Sequence, residues 1–245
     1  MTAMGVAPTG EAQALYGAFL RTLAWLRTLK KLSEPADYQA AAASARALLE
    51  IAIDLSLLLS EHDSLAKLAA WEESAKLKAA ESIVRLVEKQ GSPQGVDYSP
   101  QTSFAAAQAP RIRNLRAQYW PQKDGKTKHP PRWTGRSLAD DAVEATRRFP
   151  EGAFDAYYQT RYQELCWNTH GSGLAGVLGL SPEIFPSLFA LSVGDSSRFA
   201  LLIAELVLKH LGAWDDAVAR DFSTHREIRV VAKAQIVLTT VPEPK

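Results

Sequence analysis

Three charged side chains recur at four-residue spacing in the most apolar part of the sequence, which runs from about Tyr38 to Ser60. Residues four apart lie on one face of an α-helix, so Arg46, Glu50 and Asp54 are expected to form one polar stripe. A buried carboxylate needs a charged or hydrogen-bonding partner, and Arg46 can serve Glu50. The stripe is therefore predicted either to fix the register of neighbouring helices or to line a polar cavity.

A second candidate lies in residues 157–171, where polar and aromatic side chains are densest. Glycine favours helix termination, so this helix is expected to end at His170. The helix dipole favours a cationic histidine there, which suits a general acid or a phosphate partner; a histidine that only caps the last carbonyl groups is the alternative. Arg161 and Asn168 are predicted to contact the phosphate. Tyr158 and Tyr162 are predicted to line the polar cavity.

The same helix contains the one cysteine of the chain, Cys166, four residues before His170. That spacing is compatible with a thiolate–imidazolium pair for nucleophilic catalysis. The favoured interpretation is a buried cysteine that packs as a small hydrophobic side chain.

Residues 111–136 contain eight basic side chains and one acidic side chain, with aromatic rings interleaved. Phosphates attract Lys and Arg, and unstacked bases pack on flat rings, so this composition is typical of single-stranded nucleic-acid binding. An ordinary solvated loop is the alternative. The residues predicted to contact nucleic acid are Arg111, Arg113, Arg116, Lys126, Lys128, Arg132, Trp133 and Arg136.

The composition limits other classes of function. The formal net charge is +1, so any preference for nucleic acid must be local. A carboxylate-bridged dimetal site needs Glu-x-x-His pairs, which the sequence lacks, and a single cysteine excludes a multi-cysteine zinc site. We therefore predict no metal and no cofactor. The first residues lack signal-peptide character and no apolar run is long enough to span a membrane, so we expect a cytoplasmic protein.

Apolar positions recur at helical spacing through most of the chain, which predicts an all-α helical bundle. We expect a single helical domain over residues 1–245, with residues 91–136 as a loop-rich basic insertion. Ser137 and Asp140 resemble a capping box that begins a helix. Helices are predicted at about 10–32, 33–60, 64–89, 137–148, 152–169 and 195–211, with a short element at 183–191 and either helix or strand at 227–240.

Three features together resemble a bacterial helical domain family of unknown function. They are the Arg-x-x-x-Glu helix at Arg46, the Trp-Thr-Gly-x-Ser turn at Trp133, and the Tyr-x7-His-Gly segment that joins Tyr162 to His170. More distantly, a helical bundle with a polar helix that ends in histidine is similar to HEPN domains. Many of these domains are metal-independent ribonucleases of toxin–antitoxin and anti-phage systems.

The HEPN resemblance implies an arginine four to six residues before the histidine, which stabilises the phosphate during attack by the 2′-hydroxyl. Gln163 stands at that place in this chain, and Arg161 is the nearest arginine. The resemblance also implies a homodimer, because such sites form between two protomers. The resulting hypotheses are an RNA-cleaving HEPN-like protein with an antitoxin-like protein partner, a non-catalytic helical interaction module, and small-molecule binding in a polar helical cavity.

Overall fold

Residues with high helix propensity dominate the chain, and the computed structural model describes residues 10–91, 96–121, 128–169 and 182–224. Regular structure in these four ranges is helical and includes no strand, which confirms the all-α prediction. None of the helices found there has the length and apolar character needed to cross a membrane. The predicted helix or strand at 227–240 lies outside the described residues.

The helices are numbered here in chain order. They are α1 (Gly10–Leu29), α2 (Tyr38–Ser60), α3 (Ser64–Gln90), α4 (Ser99–Tyr119), α5 (Leu138–Arg148), α6 (Phe154–Tyr157), α7 (Gln163–Thr169) and α8 (Phe185–His210). A π-helical turn, Tyr158–Tyr162, joins α6 to α7.

The described residues divide into two compact units. The first comprises residues up to Ser60 and from Ala142 onward, and the second comprises Glu61–Asp141. The predicted basic insertion, residues 91–136, falls within the second unit.

The first unit is organised around α2. Its Leu48, Leu49 and Ile53 side chains are fully buried, and the helix packs mainly against α8, where Phe199 and Ile203 are also fully buried. Each buried side chain of this size contributes roughly 1.5–3 kcal/mol relative to exposure. Burial of this apolar face therefore holds α2 in place, and α2 carries the polar stripe.

Two predicted boundaries are wrong. Residues 91–136 were expected to be rich in loops, but α4 occupies Ser99–Tyr119 of that range, and proline at position 100 suits the first turn of a helix. The short element at 183–191 and the helix at 195–211 form one helix, α8. Buried residues such as Ser192 and Ser196 continue through the expected break, and their packing overrides the low helix propensity of Gly194.

A buried carboxylate organises the second unit. Asp141 is fully buried and accepts hydrogen bonds from Arg132 Nε at 2.7 Å, Arg136 Nε at 2.8 Å and Thr134 Oγ1 at 2.9 Å. The serine half of the capping box predicted beside it is present, since the Asp140 backbone N–H donates to Ser137 Oγ at 3.2 Å, and the Ser137 hydroxyl donates to Asp140 Oδ2 at 2.7 Å. Two arginines therefore neutralise a charge that would be very costly to bury alone.

Ser74 connects α3 to α4 and to the segment before α5. Its hydroxyl accepts a hydrogen bond from Arg116 Nε at 2.7 Å, so its own proton is available for His129 Nδ1, 2.8 Å away. Nδ1 can accept that proton only when the imidazole is neutral. Burial, followed by the positive charges of Lys78 and Arg116, lowers the pKa of His129 below its ordinary value.

The lowered pKa predicts a pH-dependent loss of stability. The contribution of His129 is fully present above its ordinary pKa of about 6.5 and is lost as the pH falls below that value, because the unfolded chain then binds the proton more readily. Between pH 7.5 and 5, the free energy of unfolding should fall more in the parent than in His129→Asn, which cannot titrate. Solvent screens the half-buried ring, so the expected difference is at most about 1 kcal/mol. Urea unfolding at both pH values measures it, and equal losses in the two proteins would contradict the prediction.

Candidate functional site

Arg46 and Glu50 form the centre of the candidate site on α2. Arg46 Nε donates a hydrogen bond to Glu50 Oε1 at 3.0 Å, in the pairing that the four-residue spacing predicts. Their side chains are 24% and 31% exposed, so the pair lies at a partly open surface. Asp54, the third member of the stripe, is also half-buried and has interaction partners.

Two side chains from the helix that ends at Thr169 meet this pair. The Tyr162 hydroxyl donates a hydrogen bond to Glu50 Oε1 at 2.8 Å, and Arg46 Nη1 donates one to Thr169 Oγ1 at 3.1 Å. The guanidinium carbon of Arg46 lies 5.5 Å from the centre of the Tyr162 ring, within the range of a cation–π interaction. Arg46, Glu50, Tyr162 and Thr169 are called the Arg46 cluster below.

The electrostatics of the cluster keep both donors protonated. Burial, followed by the hydrogen bond to Glu50 and the charge of that carboxylate, raises the pKa of Tyr162 above its ordinary value. Burial alone would lower the pKa of Arg46, but Tyr162 and Glu50 outweigh it and raise that pKa. At neutral pH the cluster therefore contains a permanently charged guanidinium that three neighbours hold in place.

The π-helical turn lies where this helix contacts α2 through Tyr162. A π-helical turn is wider than an α-helical turn, and such insertions change the register of the side chains that follow. Tyr158 and Tyr162, at its two ends, stack with ring centres 4.8 Å apart and planes 19° apart. Both predicted cavity tyrosines thus lie together, and one of them belongs to the Arg46 cluster.

Arg161 lies next to Tyr162 in the chain but contacts α8. Its Nε and Nη2 atoms donate to Asp195 Oδ2 at 3.2 Å and 3.0 Å, and its Nη1 forms an ion pair with Glu164. Asp195 is buried, and the two carboxylates overcome the effect of burial and raise the pKa of Arg161. The structure thus gives the predicted phosphate arginine two acidic partners that already balance its charge.

The predicted catalytic histidine, His170, lies outside the described residues. It follows directly after Thr169, which belongs to the Arg46 cluster. Asn168, predicted to contact a phosphate, is half-buried one position earlier. Sequence analysis missed Thr169, because its contact with Arg46 joins residues 123 positions apart and no local pattern reports such a contact.

The structure gives most of the predicted nucleic-acid residues internal partners. Trp133 is 4% exposed, so its ring is not accessible to a base, and Arg116 is buried against Ser74. The turn that follows Trp133 is tightly packed, since a Cβ atom at Gly135 would lie 2.6 Å from the Trp120 ring. Arg132 and Arg136 bind Asp141, Arg111 pairs with Glu73, Arg113 and Lys128 are exposed, and Lys126 lies outside the described residues.

No group of three His, Cys, Asp or Glu side chains within the described ranges is placed to hold a metal ion. Cys166 is half-buried and close enough to Tyr162 to affect the pKa of that phenol. It is more exposed than the buried packing position that was expected, and its pairing with His170 stays a prediction because His170 lies outside the described residues.

Comparison with known proteins identifies one matching family model, described as a family of unknown function, DUF5677, which matches residues 12–182. No curated protein and no solved structure matches the chain. The matched residues include the whole Arg46 cluster and His170. Asp195, which pairs with Arg161, lies after the match.

The cluster predicts a measurable role for the Tyr162 hydroxyl. Tyr162→Phe keeps the ring and removes the hydroxyl, with its hydrogen bond to Glu50 and its interaction with Arg46, so we expect the free energy of unfolding to fall by about 1 kcal/mol. Tyr16→Phe is the matched control, because Tyr16 is 61% exposed and loss of its hydroxyl is expected to cost little stability. Urea unfolding measures both, and equal effects would show that the Tyr162 hydroxyl does not stabilise the cluster.

Proposed function

This chain belongs to the family of unknown function DUF5677, and we propose that it is a HEPN-like helical protein that cleaves RNA without a metal ion. In this proposal Arg46 binds the phosphate at the cleaved bond, and His170 is the general acid or base. The contact between Arg46 Nη1 and Thr169 Oγ1 carries the proposal. It brings an arginine from α2 to the residue that precedes His170.

Arg46 fills the role that the HEPN resemblance gives to an arginine shortly before the histidine. Gln163 stands at that place in the chain, and Arg161 is paired with Asp195 and Glu164. Arg46 is 24% exposed on its side chain and is oriented by Glu50, so it remains accessible to a ligand. The arginine and the histidine would then come from two helices instead of one.

The reaction would proceed by transfer within the RNA chain. The 2′-oxygen attacks the adjacent phosphorus, the new O–P bond forms, and the bond from phosphorus to the 5′-oxygen breaks. In the net reaction, the proton of the 2′-hydroxyl is replaced by the new O–P bond and the leaving 5′-oxygen gains a proton. His170 acts as base or acid in one of these transfers and water is its counterpart in the other, while Arg46 stabilises the charge that develops on the phosphate oxygens. The products are a 2′,3′-cyclic phosphate and a 5′-hydroxyl.

The bonding of Arg46 suits this role. A guanidinium has five N–H donors in a fixed planar arrangement, and the cluster uses Nε for Glu50 and Nη1 for Thr169. Thr169 is a neutral acceptor, and an ionised phosphate oxygen is a stronger one. A phosphate can therefore replace the threonine contact while Glu50 keeps the plane of the guanidinium fixed.

Other parts of the proposal rest on the chemistry of individual side chains. Asn168 is a candidate second phosphate contact, because it is half-buried two positions before His170. Arg113 and Lys128 are exposed and retain the capacity to attract RNA. The homodimer, the protein partner of antitoxin type and the role in defence belong to the proposal through the HEPN resemblance.

A non-catalytic interaction module is the second candidate function. The observation that favours it is the ion pair between Arg46 and Glu50, which balances the charge of the arginine before any phosphate arrives. In that case the Arg46 cluster would only hold α2 against α7. Binding of a small polar molecule to the half-buried stripe is a third, more distant candidate.

Cleavage of RNA by the full chain in the presence of a metal chelator tests the proposed function. We expect a short single-stranded RNA to be cut into products that end in a 2′,3′-cyclic phosphate and a 5′-hydroxyl. His170→Ala should abolish cleavage, and Arg46→Ala should reduce kcat by about 100-fold or more, the usual effect of removing one donor to a developing charge. Arg46→Lys should retain part of the activity, because it keeps the charge but not the planar donors.

Arg27→Ala is the matched control, since Arg27 is an exposed helical arginine in the same unit. It should leave kcat unchanged, and thermal unfolding should show that each variant is folded. RNA that stays intact with the parent chain, or a His170→Ala variant that cleaves as well as the parent, would overturn the ribonuclease proposal and favour the interaction module.

A further inference from the structure

The stacked tyrosines beside the Arg46 cluster have a role that the phosphate chemistry does not require. We propose that Tyr158, supported by Tyr162, is a stacking surface for the base of a nucleotide next to the phosphate that Arg46 binds. The inference rests on the proposed function and specifies its substrate as RNA that is single-stranded at the cleavage site. Stacking on tyrosine would also make the site tolerant of base identity.

Tyr162 contacts both of the other groups. The Arg46 guanidinium carbon lies over the Tyr162 ring, 5.5 Å from its centre, and Tyr158 stacks on the same ring with the centres 4.8 Å apart. Tyr158 is therefore the aromatic ring next to the Arg46 cluster, and part of its side chain is exposed.

Exposure distinguishes this pair from ordinary core aromatics. Tyr157 and Phe199 also pack together, but these two rings are 6% and 0% exposed. Tyr158 and Tyr162 are both half-buried. An aromatic pair on a helix surface contributes only about 0.2–0.5 kcal/mol to the helix, so stability alone gives little reason for a half-exposed stack.

The π-helical turn supports a functional interpretation. Both tyrosines belong to it, and π-helical insertions in α-helices occur frequently at functional sites. The two rings stack within this turn, and the Tyr162 hydroxyl also donates to Glu50 Oε1 at 2.8 Å. A nucleotide carries its base and phosphate on one sugar, so a phosphate at Arg46 would bring a neighbouring base to this side of the cluster.

Binding of modified RNAs tests the inference. The full chain carrying His170→Ala prevents cleavage during the measurement, and fluorescence anisotropy gives the Kd for a short labelled single-stranded RNA. An abasic nucleotide next to the cleavage site should weaken binding by about tenfold, and the same change far from the site should have little effect. In the cleaving parent, the abasic change should raise KM more than it lowers kcat.

Substitutions of Tyr158 provide the second arm. Tyr158→Leu should weaken binding to intact RNA by about tenfold and should make binding insensitive to the abasic change, while Tyr158→Phe should behave like the parent. The abasic RNAs test the unsubstituted tyrosine, so the inference remains falsifiable even if Tyr158→Leu does not fold.

The possible failures are distinguishable. If the parent cleaves RNA but binds abasic and intact RNA equally, or binds duplex RNA as tightly as single-stranded RNA, the stacking surface is wrong and the proposed function stands. If the parent neither cleaves nor binds RNA, both the proposed function and the stacking surface are overturned.

Discussion

The need to hold a charged guanidinium at a half-buried position is the constraint on which the candidate site depends. Arg46 lies on a strongly apolar helix, where an unpaired charge would be costly. Glu50 supplies the opposite charge from the same helix, and Tyr162 and Thr169 supply polar atoms from the helix packed against it. Because these contacts cross between helices, they fix the register of α2 against α7 and place Arg46 beside the end of α7.

Neighbouring residues of the π-helical turn contact different helices. Tyr162 faces α2 and the Arg46 cluster, whereas its neighbour Arg161 pairs with Asp195 on α8. The arginine nearest to His170 in sequence is thus paired with Asp195 and Glu164, whereas Arg46, which is distant in sequence, contacts the residue before His170. In the second unit, Arg132 and Arg136 likewise pair with a buried acidic residue, Asp141.

Sequence reasoning succeeded where a feature depends on local spacing. The all-α class, the Arg46–Glu50 pair and the Ser137 cap of α5 follow from helical periodicity and from capping chemistry. It failed where partners are distant in the chain: Thr169 was not recognised, and Trp133 was expected to be accessible. Composition shows that arginines and aromatic rings are present, but only packing decides whether an acidic residue such as Asp141 already engages them.

A crystal structure of the chain with a bound single-stranded RNA that lacks the 2′-hydroxyl at the cleavage site tests the central claim most directly. Without that hydroxyl the phosphate cannot be attacked, so the bound state persists. The account predicts a phosphate oxygen at hydrogen-bonding distance, about 3 Å, from a terminal nitrogen of Arg46, with His170 in reach of the same phosphate. A phosphate bound at Arg161, or one bound far from both Arg46 and His170, would contradict it.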